Sequence, residues 1–157
     1  MREFTVFCLD EMNFALDVGN VREVLRAAAL SAVPGNSNLE GLLNLRGAIV
    51  PVVNLRQLLG LLPSAICASD FLVVVESDSR IAALRIEQPA RLEQVDDADA
   101  GITVATDSEC DFIAGTVRLG ERFVSLLSAS AILAAAGSMA GIERQGEATG
   151  RSSPSEA

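Results

Sequence analysis

Short apolar runs separated by polar turns occupy most of residues 1–137 and predict β-strands. FTVFCL (4–9) and NFALDV (13–18) flank a polar turn and predict a β-hairpin, and VREVL (21–25) extends the second strand. The other predicted strands are AIVPVV (48–53), FLVVVES (71–77), RIAALRI (80–86), FIAGTVRL (112–119) and RFVSLL (122–127). The last two are joined by a two-residue hairpin signal, Gly120-Glu121.

Two short helices are expected after these strands. NLRQLLG (54–60) has Asn54 as a plausible N-cap and leucines at helical spacing, which predicts about two turns. SASAILAAAG (128–137) begins with serine and ends with glycine. VPGNSN (33–38) carries a Pro-Gly turn signal and predicts a loop. Pro51 cannot donate a ladder hydrogen bond, so we expect it at a sheet edge or a bulge.

The chain contains two similar halves. A shift of 67 or 68 places Phe4 on Phe71, Val6 on Val73 and Ala15-Leu16 on Ala83-Leu84. A shift of 74 places Gly41 on Gly115, Leu45 on Leu119, Val50 on Val124, Val52-Val53 on Leu126-Leu127, Asn54 on Ser128, and Leu58-Leu59 on Ile132-Leu133. The shared order of elements predicts two small β barrels that share an interface, because neither half has ample core material alone.

These patterns predict one domain over 1–137 with approximate halves 1–66 and 67–137. The two halves could also be intertwined. Residues 138–157 are small and polar without periodicity, which predicts a disordered tail. A net charge of −9 disfavours nucleic acid or an anionic membrane as the main partner. The chain has neither a signal-peptide pattern nor an apolar run long enough to span a bilayer, so we expect a cytoplasmic protein without membrane insertion.

The residue inventory argues against catalysis. The chain has no histidine, and all 12 cations are arginine, so histidine-based triads, Schiff bases and Walker A sites are excluded. Seven acids between Glu93 and Asp111 favour a solvated loop over a carboxylate pair or a magnesium site. The three cysteines lack metal-ligand spacing and are expected to be buried small hydrophobes. We therefore predict no catalytic residue, cofactor or metal.

One stretch, GLLNLRGAIVPVVNLRQLLG (41–60), resembles the signature of the CheW family of bacterial chemotaxis coupling proteins. FALDVGNVREVL and IAGTVRLGERFVSLLSASAIL resemble the same family, so the resemblance covers roughly 3–133. It implies a mainly β fold of two packed SH3-like five-stranded barrels, with short helices after the last strand of each half. It also implies a non-enzymatic adaptor that joins the cytoplasmic tip of a chemoreceptor to the regulatory domain of a CheA-type histidine kinase.

The resemblance implies that the receptor binds in the groove between the barrels and that the kinase binds one barrel. The protein would then be cytoplasmic and recruited to membrane-associated receptor arrays through protein contacts. Arg46 matches the arginine of the family's N-L-R-G signature, and Gly41 matches a glycine where bulk is poorly tolerated. The implied protein-interaction residues are Val21, Glu23, Leu25, Gly41, Leu42, Asn44 and Arg46.

Two interpretations of Arg46 remain open at this point. It could be exposed at the groove and contact the receptor, or it could turn inward to hydrogen-bond loop carbonyls or a carboxylate, with Glu23 as a candidate partner. The second half has Gly120 at the position of Arg46, so the shared fold does not by itself require the arginine. Alternatives to the adaptor are a double-barrel scaffold or inhibitor acting on a partner outside chemotaxis, and a carboxylate-pair enzyme with magnesium.

The chain departs from the family pattern at two places. Asn54 stands where an aspartate is common in the family, and it can still cap a helix. AALRIE (82–87) replaces a run of the type G-L-x-V-D. The second departure leaves open whether the chain binds the standard kinase or a paralogue.

Overall fold

A computed structural model describes residues 2–27, 30–31, 39–96, 101–104 and 111–136, with the backbone alone described over 101–104. A 3-10 turn spans Val18–Asn20, α1 spans Leu55–Leu58, and a second helix, α2, is described over 129–136. The strands of this part are β1 (Arg2–Leu9), β2 (Met12–Asp17), β3 (Val21–Arg26), β4 (Leu30–Ser31), β5 (Leu39–Leu45), β6 (Ala48–Val53), β7 (Phe71–Ser77), β8 (Arg80–Ile86), β9 (Arg91–Val95), β10 (Gly101–Val104), β11 (Ile113–Leu119) and β12 (Arg122–Leu127).

The strands form two sheets that share the same arrangement of equivalent strands. The sheet that we call the first barrel has the order β3-β7-β8-β6-β5-β4, and the second barrel has the order β10-β11-β12-β2-β1-β9. Each barrel therefore combines four consecutive strands of one half with the leading hairpin of the other half. The predicted fold class, two SH3-like barrels, is confirmed. Each sheet has six strands where five were expected, because the short strands β4 and β10 each pair at one edge.

Strand registers confirm the internal repeat. The β5–β6 hairpin pairs Gly41 with Val52, and the β11–β12 hairpin pairs Gly115 with Leu126, as the 74-residue shift requires. Both hairpins also have a register irregularity just before that glycine. The parallel ladders are equivalent too, since Val52 pairs with Ala83 in one barrel and Leu126 pairs with Ala15 in the other.

The alignment of the leading hairpins needs a shift of 68 on both strands. Phe4 pairs with Asp17 in β1–β2, and Leu72 pairs with Arg85 in β7–β8. Phe4 is therefore equivalent to Leu72 and Val6 to Val74, so the alignments of Phe4 with Phe71 and of Val6 with Val73 at a shift of 67 are wrong. A one-residue slip in a strand exchanges the two faces. Phe4 lies in the interior of its barrel, whereas Phe71 packs on the other side of its strand.

Three apolar clusters explain the continuous hydrophobic runs of β7 and β8. Each strand directs alternate residues into its own barrel and against the other barrel, so both faces are buried. Leu72 and Val74 of β7 fill the first barrel, while Val73 and Val75 belong to a larger shared cluster. That cluster, the inter-barrel core, contains residues of both barrels and both helices: Phe7, Leu9, Phe14, Leu16, Val53, Leu55, Val73, Val75, Ala82, Leu84, Ile86, Leu127, Ala129, Ile132, Leu133 and Ala136.

Both helices lie where they were predicted, but α1 is shorter than expected. Asn54 accepts a hydrogen bond from the backbone N–H of Gln57 at 3.3 Å, and Ser128 Oγ accepts from Ala131 N at 3.2 Å, so both predicted caps are confirmed. However, α1 is a single turn instead of two. Gly60 adopts a φ of +74°, the left-handed conformation that ends helices, and the chain then leaves the helix axis.

Two further expectations need correction. Strand β6 lies between β5 and β8, so Pro51 is not on an edge strand. It is tolerated because the ladder to β8 involves only Val52 and Val53, which leaves β6 with one paired neighbour at Pro51. Cys67 is exposed and Cys8 is half-buried, so burial of the cysteines is wrong for Cys67. Cys110, the loop 33–38 and the tail 138–157 lie outside the described residues.

Candidate protein-interaction site

The tip of the β5–β6 hairpin is a tight turn formed by Arg46 and Gly47. Their φ angles are +51° and +86°, the pair of positive values that defines a type I′ hairpin turn. Asn44 Oδ1 accepts a hydrogen bond from the Gly47 N–H at 3.0 Å and fixes the turn. Positive φ is uncommon for a residue with a side chain, so Arg46 holds a conformation that glycine would adopt more easily.

The Arg46 guanidinium reaches back to β3 and forms a two-pronged ion pair with Glu23. Nη1 donates to Oε2 at 2.7 Å, and Nη2 donates to Oε1 at 3.0 Å. The pair lies at the surface, because 68% of the Arg46 side chain and 21% of the Glu23 side chain are exposed. The hydrogen bond from Arg46 keeps the pKa of Glu23 below its usual value despite some desolvation.

This geometry combines features of the two interpretations of Arg46. The predicted contact with Glu23 is confirmed, and the guanidinium nevertheless remains open to solvent. A guanidinium has five N–H donors, and Glu23 uses two of them. The exposed face of Arg46 can therefore donate to another carboxylate or carbonyl. Its contact with a receptor stays a prediction.

Strand β3 presents the other predicted residues of this region in alternation. Val21, Glu23 and Leu25 are half-buried, and Val24 lies exposed between Glu23 and Leu25. A register irregularity between Val21 and Glu23 puts Val21 on the face opposite to Glu23 and Leu25. Val21 packs against the inter-barrel core, and Leu25 packs against the interior of the first barrel. The packing of both residues serves the fold, and their role in partner contact stays untested.

Two exposed apolar residues, one on β3 and one on the β5–β6 hairpin, were missed by sequence reasoning. Val24 is 42% exposed, and Ile49, which is paired with Asn44 across the hairpin, is 55% exposed. The alternation of β6 could have indicated Ile49, because Val50, the next residue of the strand, is buried in the core of the first barrel.

Gly41 and Leu42 lie beside the short strand β4. A Cβ atom at Gly41 would collide with the carbonyl oxygen of Ser31 and with the Leu30 side chain. The intolerance of bulk expected at Gly41 therefore has a cause within the fold. Leu42 is half-buried and pairs with Ser31 on one side and Pro51 on the other. The structure brings Asn44, Arg46 and Glu23 together and leaves Gly41 and Leu42 farther along the hairpin.

The equivalent hairpin tip of the second barrel is different. Gly120 takes the place of Arg46 with a φ of +67°, and the next residue is Glu121. Here the arginine comes from β12, where Arg122 Nη2 donates to both carboxylate oxygens of Glu93 at 2.6 and 2.8 Å. A cavity of about 530 Å³ opens between β9 and this tip and is lined in part by Glu93, Arg118 and Gly120.

Comparison with known proteins agrees with the two-barrel geometry and with the signature around Arg46. The model of the CheW-like domain matches residues 3–137. The chain belongs to the CheW-like domain family. It is similar to the probable chemotaxis protein CheW of Rhizobium etli, with 25% identity over 134 residues, which are 83% of this chain and 86% of the relative.

A second relative matches a shorter region more closely. The chemotaxis protein CheW of Thermotoga maritima is 42% identical over 64 residues, which are 39% of this chain and 42% of the relative. Among solved structures, the scaffolding protein TtCheW of Thermoanaerobacter tengcongensis superposes with a TM-score of 0.70. The match has 22% sequence identity and covers 81% of this chain and 88% of that one, so it supports the fold alone.

No helix among the described residues is long and apolar enough to cross a membrane. Over the same residues, no group of three or more cysteine, aspartate or glutamate side chains is arranged to hold a metal ion. The candidate site is the surface around Arg46 and Glu23, where the arginine side chain is 68% exposed.

Proposed function

We propose that this chain is a non-enzymatic adaptor that couples chemoreceptors, the methyl-accepting chemotaxis proteins, to a CheA-type histidine kinase in the cytoplasm. Membership of the CheW-like domain family supports the proposal, as do relatives named as chemotaxis proteins. Recruitment to membrane-associated receptor arrays would then occur through protein contacts. In this proposal the receptor tip occupies the groove between the barrels, and the regulatory domain of the kinase binds one barrel.

The observation that carries the proposal is the placement of Arg46. An exposed arginine is held in a left-handed backbone conformation at a turn that the equivalent hairpin closes with Gly120. The backbone strain of such a residue costs on the order of 1 kcal/mol. The exposed ion pair with Glu23 contributes little to the stability of the fold in water. A partner that uses the exposed face of Arg46 gives a reason for keeping it.

Glu23 prepares Arg46 for that contact. Two hydrogen bonds hold the planar guanidinium in one orientation, so less side-chain freedom is lost when a partner binds. Ile49 is paired with Asn44 across the hairpin that carries Arg46 and supplies exposed apolar area there, and Val24 is an exposed apolar residue next to Glu23 in sequence. A charged group that sets register beside a small apolar patch is a common arrangement at protein interfaces.

A charge exchange separates the partner role from the structural role. In the double variant Glu23→Arg with Arg46→Glu, the ion pair can form again with its polarity reversed. We expect the fold to survive and binding of a receptor cytoplasmic fragment, measured by calorimetry, to fall at least about tenfold, because a carboxylate replaces the exposed cation. Wild-type affinity in the exchanged variant would show that Arg46 matters only for the fold.

A control for the loss of an exposed, ion-paired arginine comes from the second barrel. Arg122→Ala removes the arginine that pairs with Glu93 and should leave receptor binding within about twofold if the site lies on the first barrel. The adaptor proposal fails if the wild-type chain binds neither a receptor fragment nor a kinase regulatory domain at tens of micromolar. That outcome would favour a scaffold or inhibitor with a partner outside chemotaxis.

A further inference from the structure

Arg56 of α1 lies at the centre of an ionic network in which its side chain is only 8% exposed. Nη1 donates to Asp10 Oδ2 at 3.0 Å and to the Leu62 carbonyl oxygen at 2.9 Å. Nη2 donates to Asp10 Oδ1 at 2.9 Å and to Glu87 Oε1 at 2.6 Å. We call this arrangement the Arg56 bridge. The hydrogen bond to Asp10 is the main reason that the pKa of Arg56 is raised.

The Arg56 bridge joins the two barrels. Asp10 lies at the tip of the β1–β2 hairpin, which belongs to the second barrel, whereas α1 follows β6 and Glu87 follows β8 of the first barrel. Other ion pairs between described residues stay within one barrel and its adjoining segments. The arginines of those pairs are Arg2, Arg22, Arg46, Arg85, Arg91 and Arg122.

The Arg56 bridge is suited to fixing the angle between the two barrels. The inter-barrel core is apolar, and the hydrophobic effect that holds it together is non-directional. A two-pronged arginine–carboxylate pair instead requires a specific relative orientation of its partners. Glu87 and Leu62 on the first-barrel side hold the Arg56 guanidinium in place. Asp10 of the second barrel therefore binds a guanidinium whose position is already fixed.

We propose that the Arg56 bridge sets the orientation of the second barrel relative to the first, and with it the relative placement of partners that the chain holds. Arg56 is thus a positioning residue. Its consequence for coupling rests on the proposed function, whereas the orientation itself is a property of the isolated chain. Non-directional burial brings the barrels together, and the bridge selects one arrangement.

The second hairpin supplies an internal control. Asp78 occupies the position of Asp10 in the β7–β8 turn, and both aspartates have a positive φ, +53° and +51°. The 74-residue shift places Ser130 at the position of Arg56. Asp78 is exposed, and no ion pair to it is seen among the described residues. Asp78→Asn therefore removes the same charge from the same turn without touching the bridge.

The test is the distance between two spin labels in the isolated chain. Ile49 and Phe123 are exposed, equivalent positions on different barrels, and each can be changed to cysteine after the native cysteines are replaced by serine. Asp10→Asn is isosteric and tolerates the left-handed turn. We expect it to broaden the distance distribution roughly twofold, while Asp78→Asn leaves the wild-type width. Equal, narrow widths in both variants would overturn the proposal.

A second variant keeps the test decisive if Asp10→Asn unfolds. Asp10→Glu retains the charge and adds one methylene, so a bridge that sets the angle should shift the mean distance while the distribution stays narrow. An unchanged mean would count against the bridge. Glu87→Gln keeps a hydrogen-bond acceptor for Arg56 on the first-barrel side and leaves the contact with Asp10 in place, so the width should stay that of wild type.

The functional consequence is measured separately. In Asp10→Asn, binding of the receptor fragment alone and of the kinase regulatory domain alone should stay within about twofold, whereas receptor-dependent kinase activity should fall roughly tenfold. Full activity in a variant with a broadened distribution would refute the placement of partners by the bridge. If the wild-type chain binds neither partner, the proposed function fails, and the distance measurement still decides the orientation.

Discussion

The two hairpin tips of this protein have the same register but different residues at the turn. The β5–β6 tip carries Arg46, whose guanidinium pairs with Glu23 on β3, and the β11–β12 tip carries Gly120. In the second barrel Arg122, the first residue of β12, pairs with Glu93 of β9 instead. Both tips close, so the turn does not need an arginine. What differs between them is the position of the arginine, since Arg46 lies in the turn itself and is 68% exposed, whereas Arg122 lies on β12 and is 46% exposed. The exposed cation in the turn of the first barrel is the feature that we assign to a partner.

A second pair of equivalent positions shows what burial does to an ion pair. Arg2 and Asp17 of the β1–β2 hairpin correspond, with reversed polarity, to Asp70 and Arg85 of β7–β8. The Arg2 and Asp17 side chains are 38% and 42% exposed, whereas those of Arg85 and Asp70 are 2% and 6% exposed.

Chain segments cover Arg85 and supply its remaining partners. The carbonyl oxygens of Ser64 and Ala65 accept from the guanidinium, and so does Glu40. The same ion pair thus lies at the surface in one half of the chain and inside the fold in the other.

The largest effect that we predict comes from this contrast. Arg85→Leu leaves Asp70 and Glu40 buried without their cation, which should cost about 3–5 kcal/mol of unfolding free energy. Arg2→Leu should cost less than about 1 kcal/mol, because its partner is already solvated. Urea denaturation of both variants measures the difference. Similar losses would mean that the covering segment does not isolate Arg85 from water.

A smaller loss is expected at Gly41. Gly41→Ala should lower the unfolding free energy by about 1–3 kcal/mol, because the new methyl collides with Ser31 and Leu30 of β4. Gly19→Ala is the matched control, since a Cβ there meets only ordinary contact with Asp17 at 3.4 Å. The comparison is made by chemical denaturation. A stable Gly41→Ala protein would instead place the importance of this glycine in partner contact.

The pKa of Glu23 offers a local test of the ion pair in solution. Because the hydrogen bond from Arg46 lowers the pKa in the folded state, the pair contributes stability above the ordinary carboxylate pKa. That contribution is lost as pH falls through the lowered value. In Arg46→Gly the pKa should return toward its ordinary value, while that of Glu93, lowered mainly by Arg122, should not move. Carboxyl titration by NMR measures both, and an unmoved Glu23 would contradict the pairing.

Sequence patterns predicted the elements better than their assembly. The alternation and the repeat predicted β1, β2, β6, β7, β8, β11 and β12, the two caps and the duplication, because these depend on neighbours along the chain. The extension of the second strand over VREVL (21–25) was wrong, since β3 is a separate strand of the other barrel. The alignment of Phe4 failed because two adjacent apolar positions of a strand that is buried on both faces look alike in sequence. The Arg56 bridge was not foreseen either, since Asp10, Arg56 and Glu87 meet only through the exchange of leading hairpins between barrels.

At the candidate site, sequence reasoning identified Arg46 and its contact with Glu23. It could not distinguish the exposed Val24 from its half-buried neighbours Val21 and Leu25 until the face of β3 was known. At Gly41, sequence reasoning assigned a role in partner contact where the packing of its own strand is enough to explain the residue.

The smallest effect on stability and the largest effect on function should coincide in one variant. Arg46→Gly copies the residue of the equivalent hairpin, relieves the positive φ and removes only a solvated ion pair, so its unfolding free energy should stay within about 1 kcal/mol of wild type. We predict that receptor-dependent kinase activation in a reconstituted mixture is lost in this variant and kept in Arg122→Ala. Full activation by Arg46→Gly, or cooperative unfolding of that variant at much lower denaturant, would contradict the assignment of Arg46 to a partner.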